Sequence, residues 1–357
     1  MKVGIVTIIS NNYGNRLQNY ALQEVLQELQ VDVETLPVEI KYDLKGMVKL
    51  RLKTIASWFK QKYADVAWGW FDQNIHWSQY TALTEGIGNK YDFFVAGSDQ
   101  IWNPLFECNS DREFLVFTEG KKKIAYAASI GLDELPQNVI SEYRDYIEDF
   151  RAVSVREKTA ADIIENLGCC RPKVVLDPTM LLTAKQWETI VDRSKIKIKR
   201  NYIVVYFLGQ RTIEYDTYIT SKAKEMQAEI VDIMNPSSKL ENKIGPAEFI
   251  SLIYNSKAVF TDSFHGSVFS ILFHKPFVVF ERPYEDGYGK MSSRLDTLLD
   301  TFDFNERRIN NKKQIEKFKM ECDFSKADEI LKIKREYSVE YLKQALQCRM
   351  DGQKNED

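Results

Sequence analysis

The stretch Ala258-Val-Phe-Thr-Asp-Ser-Phe-His-Gly-Ser-Val-Phe-Ser-Ile-Leu-Phe273 decides how the 357-residue chain is read. An apolar run, Ala258 to Phe260, breaks into small polar residues, and Val268, Ile271 and Leu272 then recur at helical spacing. Such a switch places His265 and Gly266 where a strand ends and a helix begins. Ligands bind at that edge of open α/β sheets, and a helix N-terminus favours anions through its free N–H groups. His265 is one of only three histidines in the chain. A rare imidazole in that position predicts acid–base chemistry on an anionic substrate.

Working outward, the same strand-to-helix unit recurs in both directions. Lys2 to Ile9 reads as a buried parallel strand, followed by an Asn/Gly loop and a helix over Leu17 to Leu29. Strands are expected at Phe93–Ala96, Ile124–Ala128, Ala152–Val155 and Val174–Leu176, with a helix from Glu157 to Leu167 closed by Gly168. A second series begins at Ile203–Leu208 and continues through helix Tyr215–Gln227, strand Glu229–Met234 and helix Ala247–Tyr254. Strand Ala258–Thr261, helix Gly266–Phe273 and strand Phe277–Phe280 complete it. Alternation in both halves predicts an α/β fold of two Rossmann-like, doubly wound domains facing a cleft. The expected divisions are 1–192, a basic linker at 193–200, 201–325, and a charged C-terminal helix within 326–357 that packs across the domains.

Hydrophobic residues make up 44% of the chain and charged residues 28%, as in ordinary globular proteins. A net charge of −3 argues against nucleic acid as a partner. Five scattered cysteines read as free thiols in a reducing compartment, and no apolar segment is long enough to span a bilayer. The expected location is cytoplasmic. No zinc-like spacing of His and Cys is present, so no protein-bound metal is expected. The absence of GxGxxG and GxxxxGK[ST] loops argues against nicotinamide and ATP chemistry. One segment breaks the pattern: Lys41 to Lys62 carries seven basic residues against the single acid Asp43, interleaved with Leu44, Met47, Val48, Leu52, Ile55, Trp58 and Phe59. It opens an insertion, 41–80, and reads either as a surface helix packed on the N-terminal domain or as a peripheral contact with an anionic inner-membrane face.

The ordered set Asn12-Tyr13-Gly14-Asn15, Leu17 to Leu22, Gly97 to Asn103, Ala125 to Gly131, Ser154-Val155-Arg156-Glu157, Leu176-Asp177-Pro178 and Thr261 to Gly266 resembles the polysaccharide pyruvyltransferase family, over roughly Ile5 to Leu298. The resemblance implies a GT-B-like fold. It also implies transfer of a pyruvyl group from phosphoenolpyruvate, the donor substrate, to the hydroxyls of a sugar or lipid-linked oligosaccharide as a cyclic ketal. No cofactor is implied. The N-terminal domain is then the acceptor side and the C-terminal domain the donor side.

That reaction needs cations and helix N-termini for the donor and one positioned proton carrier. His265 is the candidate proton carrier, and Asp99 either orients it, holds a sugar hydroxyl or caps a helix. Arg156, at a strand end, either clamps phosphate or carboxylate or forms an ion pair with Glu157 or another acid. Arg294 is a second clamp candidate, or a helix-start partner of Asp296. Ser263 and Gly266 complete the donor site. Several family members carry an arginine at the position of Ser263; its absence here leaves Arg156, Arg294, Arg282 or Lys290 to compensate, or a different donor. Asn12, Tyr13, Asn15, Gln18 and Ser98 are the acceptor candidates, with a side-chain-capped turn as the alternative for the Asn12 loop. His274 reads as a helix C-terminal residue and His76 as structural; Trp102 reads as buried packing rather than a sugar platform. The alternatives in function are a glycosyltransferase using a nucleotide sugar and a non-catalytic carbohydrate-binding protein on the same fold.

Overall fold

The computed structural model describes residues 1–37, 67–82, 84–106, 110–237, 239–240, 242–282, 293–310, 314 and 318–347. The basic segment Lys41 to Lys62, Lys290, Cys108 and Cys348 lie outside them.

Two parallel sheets organise the chain. The first contains β1 (Lys2–Val6), β2 (Asp32–Thr35), β3 (Phe93–Ala96), β4 (Lys123–Ala128), β5 (Ala152–Val155) and β6 (Lys173–Val174), in the spatial order β2-β1-β3-β4-β5-β6. The second contains β7 (Tyr202–Tyr206), β8 (Glu229–Asp232), β9 (Val259–Thr261), β10 (Phe277–Phe280) and β11 (Arg308–Ile309), in the order β11-β10-β9-β7-β8. Counted from its own first strand, each sheet starts in the middle, steps to one side and then builds in the other direction. Each therefore has a switch point, between β1 and β3 in one and between β7 and β9 in the other. The crevice for a ligand opens there, beyond the carboxyl ends of the strands.

The central strands are apolar on both faces, and their period of two sorts them between cores. Tyr202, Val204 and Tyr206 of β7 join one core while Ile203 and Val205 join another. Phe93 and Val95 of β3 divide from Phe94 and Ala96 in the same way. The result is a central core built from both sheets, with an outer core on the far face of each.

Helices α1 (Tyr13–Glu28), α2 (Ile140–Glu148), α3 (Lys158–Asn166), α4 (Pro178–Leu181) and α5 (Ala184–Val191) accompany the first sheet. The second has α6 (Ile213–Glu225), α7 (Pro246–Asn255), α8 (Phe264–Leu272) and α9 (Ser293–Thr301). Helix α10 (Ser325–Gln347) returns to the first sheet, where the Tyr341 hydroxyl donates to Ala125 O at 2.9 Å and Arg335 Nε to Met180 O at 3.0 Å. Near its start, Phe324 stacks on His274 and Asp328 lies 2.9 Å from His274 Nε2, at the end of α8.

The expected alternation is present, with helix α2 (Ile140–Glu148) added to it. Helices α1 and α8 begin earlier than their apolar spacing predicts, because the cap residues Asn12 and Ser263 start them: Asn12 Oδ1 accepts from Gly14 N at 2.9 Å and Ser263 Oγ from Gly266 N at 3.4 Å. The edge strands β2 and β11 stand outside the expected series. β11 is only two residues long, and β2 reads Asp-Val-Glu-Thr, with too little apolar character to mark a strand. Among the described residues, no helix is long and apolar enough to cross a membrane.

Candidate active site

The two switch points face each other, and helix α1 of one meets helix α8 of the other at His265. Gly14, in the first turn of α1, packs against the imidazole so closely that a Cβ there would collide with His265 Nδ1. Gly266, the next residue in α8, lets the helix close on β9, since a Cβ would stand 2.5 Å from Thr261 Oγ1. His265 is 6% exposed, and its Nε2 has no hydrogen-bond partner among the described residues. The nearest acid to that nitrogen is Asp177, whose Oδ1 lies 3.7 Å away.

Asp177 is fixed from several sides. Its Oδ2 accepts from Ser98 Oγ and from Arg156, each at 2.8 Å, and its Oδ1 accepts from Thr179 Oγ1 at 2.7 Å and Thr179 N at 3.0 Å. Burial pushes its carboxyl upward, but the closeness of His265, then the charge of Arg156, outweigh that and hold it well below the usual carboxylate range. Asp177 is thus an anion that faces the imidazole Nε2 across 3.7 Å.

Arg156 stands at the centre of this network, with no exposed side-chain surface. One nitrogen donates to Asp177 and another to Asp99 Oδ1, both at 2.8 Å, while Nε lies 3.9 Å from Glu157 Oε2. The ring of Phe264 lies 4.5 Å from the guanidinium carbon. Of the two readings of Arg156, the ion pair is the one present here, with Asp99 and Asp177 as its principal partners. Asp99 has a positive φ of 72°, a backbone region that aspartate tolerates better than most residues. Its Oδ2 accepts from Asn15 Nδ2, and Asn15 Oδ1 in turn accepts from Ser10 Oγ. Burial raises the Asp99 carboxyl, yet Arg156, His265 and Arg294 together keep it low.

Arg294 lies near the start of α9, 4.0 Å from Asp99 Oδ1. With its amide oxygen turned toward it, Gln100 accepts from Arg294 at 3.1 and 3.3 Å. Burial, then repulsion from Arg156, brings the Arg294 pKa down to about 10 against the pull of Asp99 and Glu157. A second anion in this neighbourhood would relieve it. Asp296 pairs with Arg308. Arg282 bonds Asp262 through Nε at 2.8 Å and keeps about a third of its side chain exposed. Glu157 is wholly buried; its Oε1 accepts from Ser129 Oγ, Ile130 N and Gly131 N, and burial pushes its pKa up despite Arg156 and Arg294.

The acceptor candidates part company. Asn12 caps α1, and Asn15 reaches Asp99. Gln18 and Ser98 are wholly buried, bonded to Thr7 and Asp177, and as placed offer no face to a sugar. Tyr13 is sandwiched between Phe249, at 4.9 Å, and Trp68, at 5.2 Å, and its hydroxyl donates to Ile244 O at 3.3 Å. Burial, then Glu248, pushes that hydroxyl up to about 12, so Tyr13 bridges the halves as a neutral ring. Trp102 is buried and stacked on Phe114, and His76 bonds the α1 residues Gln23 and Gln27. Asp177 is the site residue that the sequence reading leaves without a role. Its signal is the Leu-Asp-Pro turn at a strand end, but its facing of His265 comes from tertiary folding over 88 residues of separation.

The fold resembles that of sugar-nucleotide enzymes. UDP-GlcNAc 2-epimerase from Neisseria meningitidis, in a structure bound to UDP-GlcNAc, superposes with a TM-score of 0.52 at 11% identity, covering 97% of this chain and 99% of that one. UDP-GlcNAc 2-epimerase from Methanocaldococcus jannaschii gives 0.48 at 13% identity over 93% and 99%, and E. coli ADP-heptose lps heptosyltransferase II gives 0.39 at 11% over 97% and 98%. The first of these likenesses fits the two Rossmann-like units of a GT-B-like fold and speaks to fold alone. No curated protein matches the sequence. The family model for polysaccharide pyruvyl transferase matches residues 12–283, a span that takes in Asp99, Arg156, Asp177 and His265. The chain belongs to the polysaccharide pyruvyl transferase family.

Proposed function

We propose that this protein transfers the pyruvyl group of phosphoenolpyruvate to two hydroxyls of a sugar in surface or exopolysaccharide synthesis, with His265 as the proton carrier. The observation that carries the reading is the buried Nε2 of His265, unpartnered and 3.7 Å from a fixed carboxylate, at the meeting of two helix N-termini. In the reaction a proton adds to the methylene carbon, and one hydroxyl attacks the central carbon and loses its proton. The bond from that carbon to the phosphate oxygen then breaks, and the second hydroxyl closes the ketal. Of the two hydroxyl protons, one balances the new methyl group and the other leaves with phosphate. A single imidazole oriented by Asp177 serves to deliver and collect such protons.

Arg294, with the N-terminus of α8, is the proposed seat for the donor's charges; Arg156 holds Asp99 and Asp177 in place. The location proposed is cytoplasmic, where the basic segment Lys41 to Lys62 would bring the enzyme to a lipid-linked acceptor on the inner membrane face. The test is phosphate release from phosphoenolpyruvate with a panel of oligosaccharide and sugar-lipid acceptors. His265→Ala is expected to lower turnover by about two to four orders of magnitude while the fold persists. A wild-type rate in that variant removes His265 from the chemistry. Turnover of a nucleotide sugar, with none of phosphoenolpyruvate, moves the protein to glycosyl transfer.

A further inference from the structure

A pocket of about 640 Å³ opens where the loop before α1 meets the segment between β8 and α7. Its size falls within the roughly 300–1,000 Å³ of small-molecule sites. The stacked rings of Tyr13 and Trp68 line it together with Met234 and the amide residues Asn11, Asn235 and Asn242. None of the described lining residues is charged. The nearby proton-transfer site is the reverse: carboxylates and guanidinium groups with little aromatic surface beyond Phe264. Tyr13 lines the pocket and the adjoining Gly14 packs against His265, so the two places are joined by consecutive residues.

We infer that this pocket binds a neutral sugar unit of the acceptor, next to the unit whose hydroxyls react at His265. A pyranose has an apolar C–H face and a rim of hydroxyls that both donate and accept. Apolar and aromatic surface suits the first, and primary amides, which carry both a donor and an acceptor, suit the second. An anionic donor would find no cation among these residues. Tyr13 itself is immobilised between Phe249 and Trp68, so the wall is already in place before a ligand arrives. The acceptor contacts thus move from Gln18 and Ser98, which are buried, to the outer side of the same loop. This assignment rests on the reading of the chain as a sugar-modifying transferase.

The experiment is a ligand-observed NMR titration of the full-length protein with neutral methyl hexosides, N-acetylhexosaminides and their disaccharides, repeated with Asn235→Ala and Trp68→Ala. Asn235 is exposed, so its variant reports on binding even if loss of Trp68 disturbs the Tyr13 stack. Binding by the wild-type protein that weakens tenfold or more in both variants, with the thermal shift from phosphoenolpyruvate retained, is the expected result. Absence of binding up to about 10 mM with every probe overturns it. Unchanged affinity in Asn235→Ala and Trp68→Ala also overturns it, even if phosphate release shows that pyruvyl transfer occurs. Saccharide binding lost in both variants, with no turnover of phosphoenolpyruvate, keeps the sugar pocket and refutes the donor instead.

Discussion

Arg156 stands beside three buried carboxylates, Asp99, Asp177 and Glu157, and they do not shift in the same direction. Asp99 and Asp177 are held low by the guanidinium groups and His265, against burial. Their folded-state pKa values lie below the unfolded value of about 3.9, so the stability they supply is present above that pH and is lost as pH falls through the folded values. Glu157 runs the other way. Burial raises it above the unfolded value of about 4.3, so its favourable contribution is complete below that pH and disappears as pH rises through the folded value. Glu157→Gln keeps an oxygen for Ser129, Ile130 and Gly131 without a proton to lose. Its melting temperature relative to wild type is therefore expected to rise between about pH 4 and pH 8. A constant difference across that range, measured by differential scanning calorimetry, means that Glu157 is not the group that titrates.

At the scale of elements, the site depends on how two helix starts are brought together. Gly14 is the contact, and any side chain there has to displace the imidazole or the helix. Gly14→Ala is expected to cost about 1–3 kcal/mol of stability through overpacking, and a larger share of activity, because His265 moves off Asp177. Phosphate-release kinetics alongside urea unfolding separates the two effects, and a variant with full turnover shows that the contact is incidental. The strand-to-helix switches behind this geometry were legible in the sequence. Apolar runs such as Phe93–Ala96 and Val259–Thr261 are buried on both faces, and the polar turn that follows each is unmistakable. The cap residues Asn12 and Ser263 were less so, because capping is a side-chain event that leaves no periodicity. Least legible was the choice of partner for His265. Asp99 and Asp177 both end strands in the same sheet, and only the packing of α8 decides which of them faces Nε2.

For the molecule as a whole, the central core is the decisive feature, because it belongs to neither half. Trp187 of α5 is fully buried, donates from Nε1 to Thr179 O at 3.0 Å, and meets Tyr20 of α1 and Phe269 of α8 at 5.7 and 5.2 Å. Tyr13 reaches Phe249 and Tyr206 in the same way, so aromatic rings from both sheets interlock behind the His265 cluster. Two Rossmann-like units joined by a polar, wet interface would be expected to move and to melt independently. A shared core of this kind couples them instead, and with them the two switch points whose alignment brings Gly14 to His265. The protein is therefore expected to unfold in one transition, with far-ultraviolet circular dichroism and tryptophan fluorescence coinciding. Trp187→Ala should lower that single transition by about 3–5 kcal/mol, the cost of removing a large buried ring, and should reduce turnover although the residue lies away from the reacting groups. Two separated transitions in the wild-type protein, or a Trp187→Ala variant in which one half melts early and the other at its original temperature, would show that the halves are stabilised separately and that their alignment at His265 has to be gained on binding.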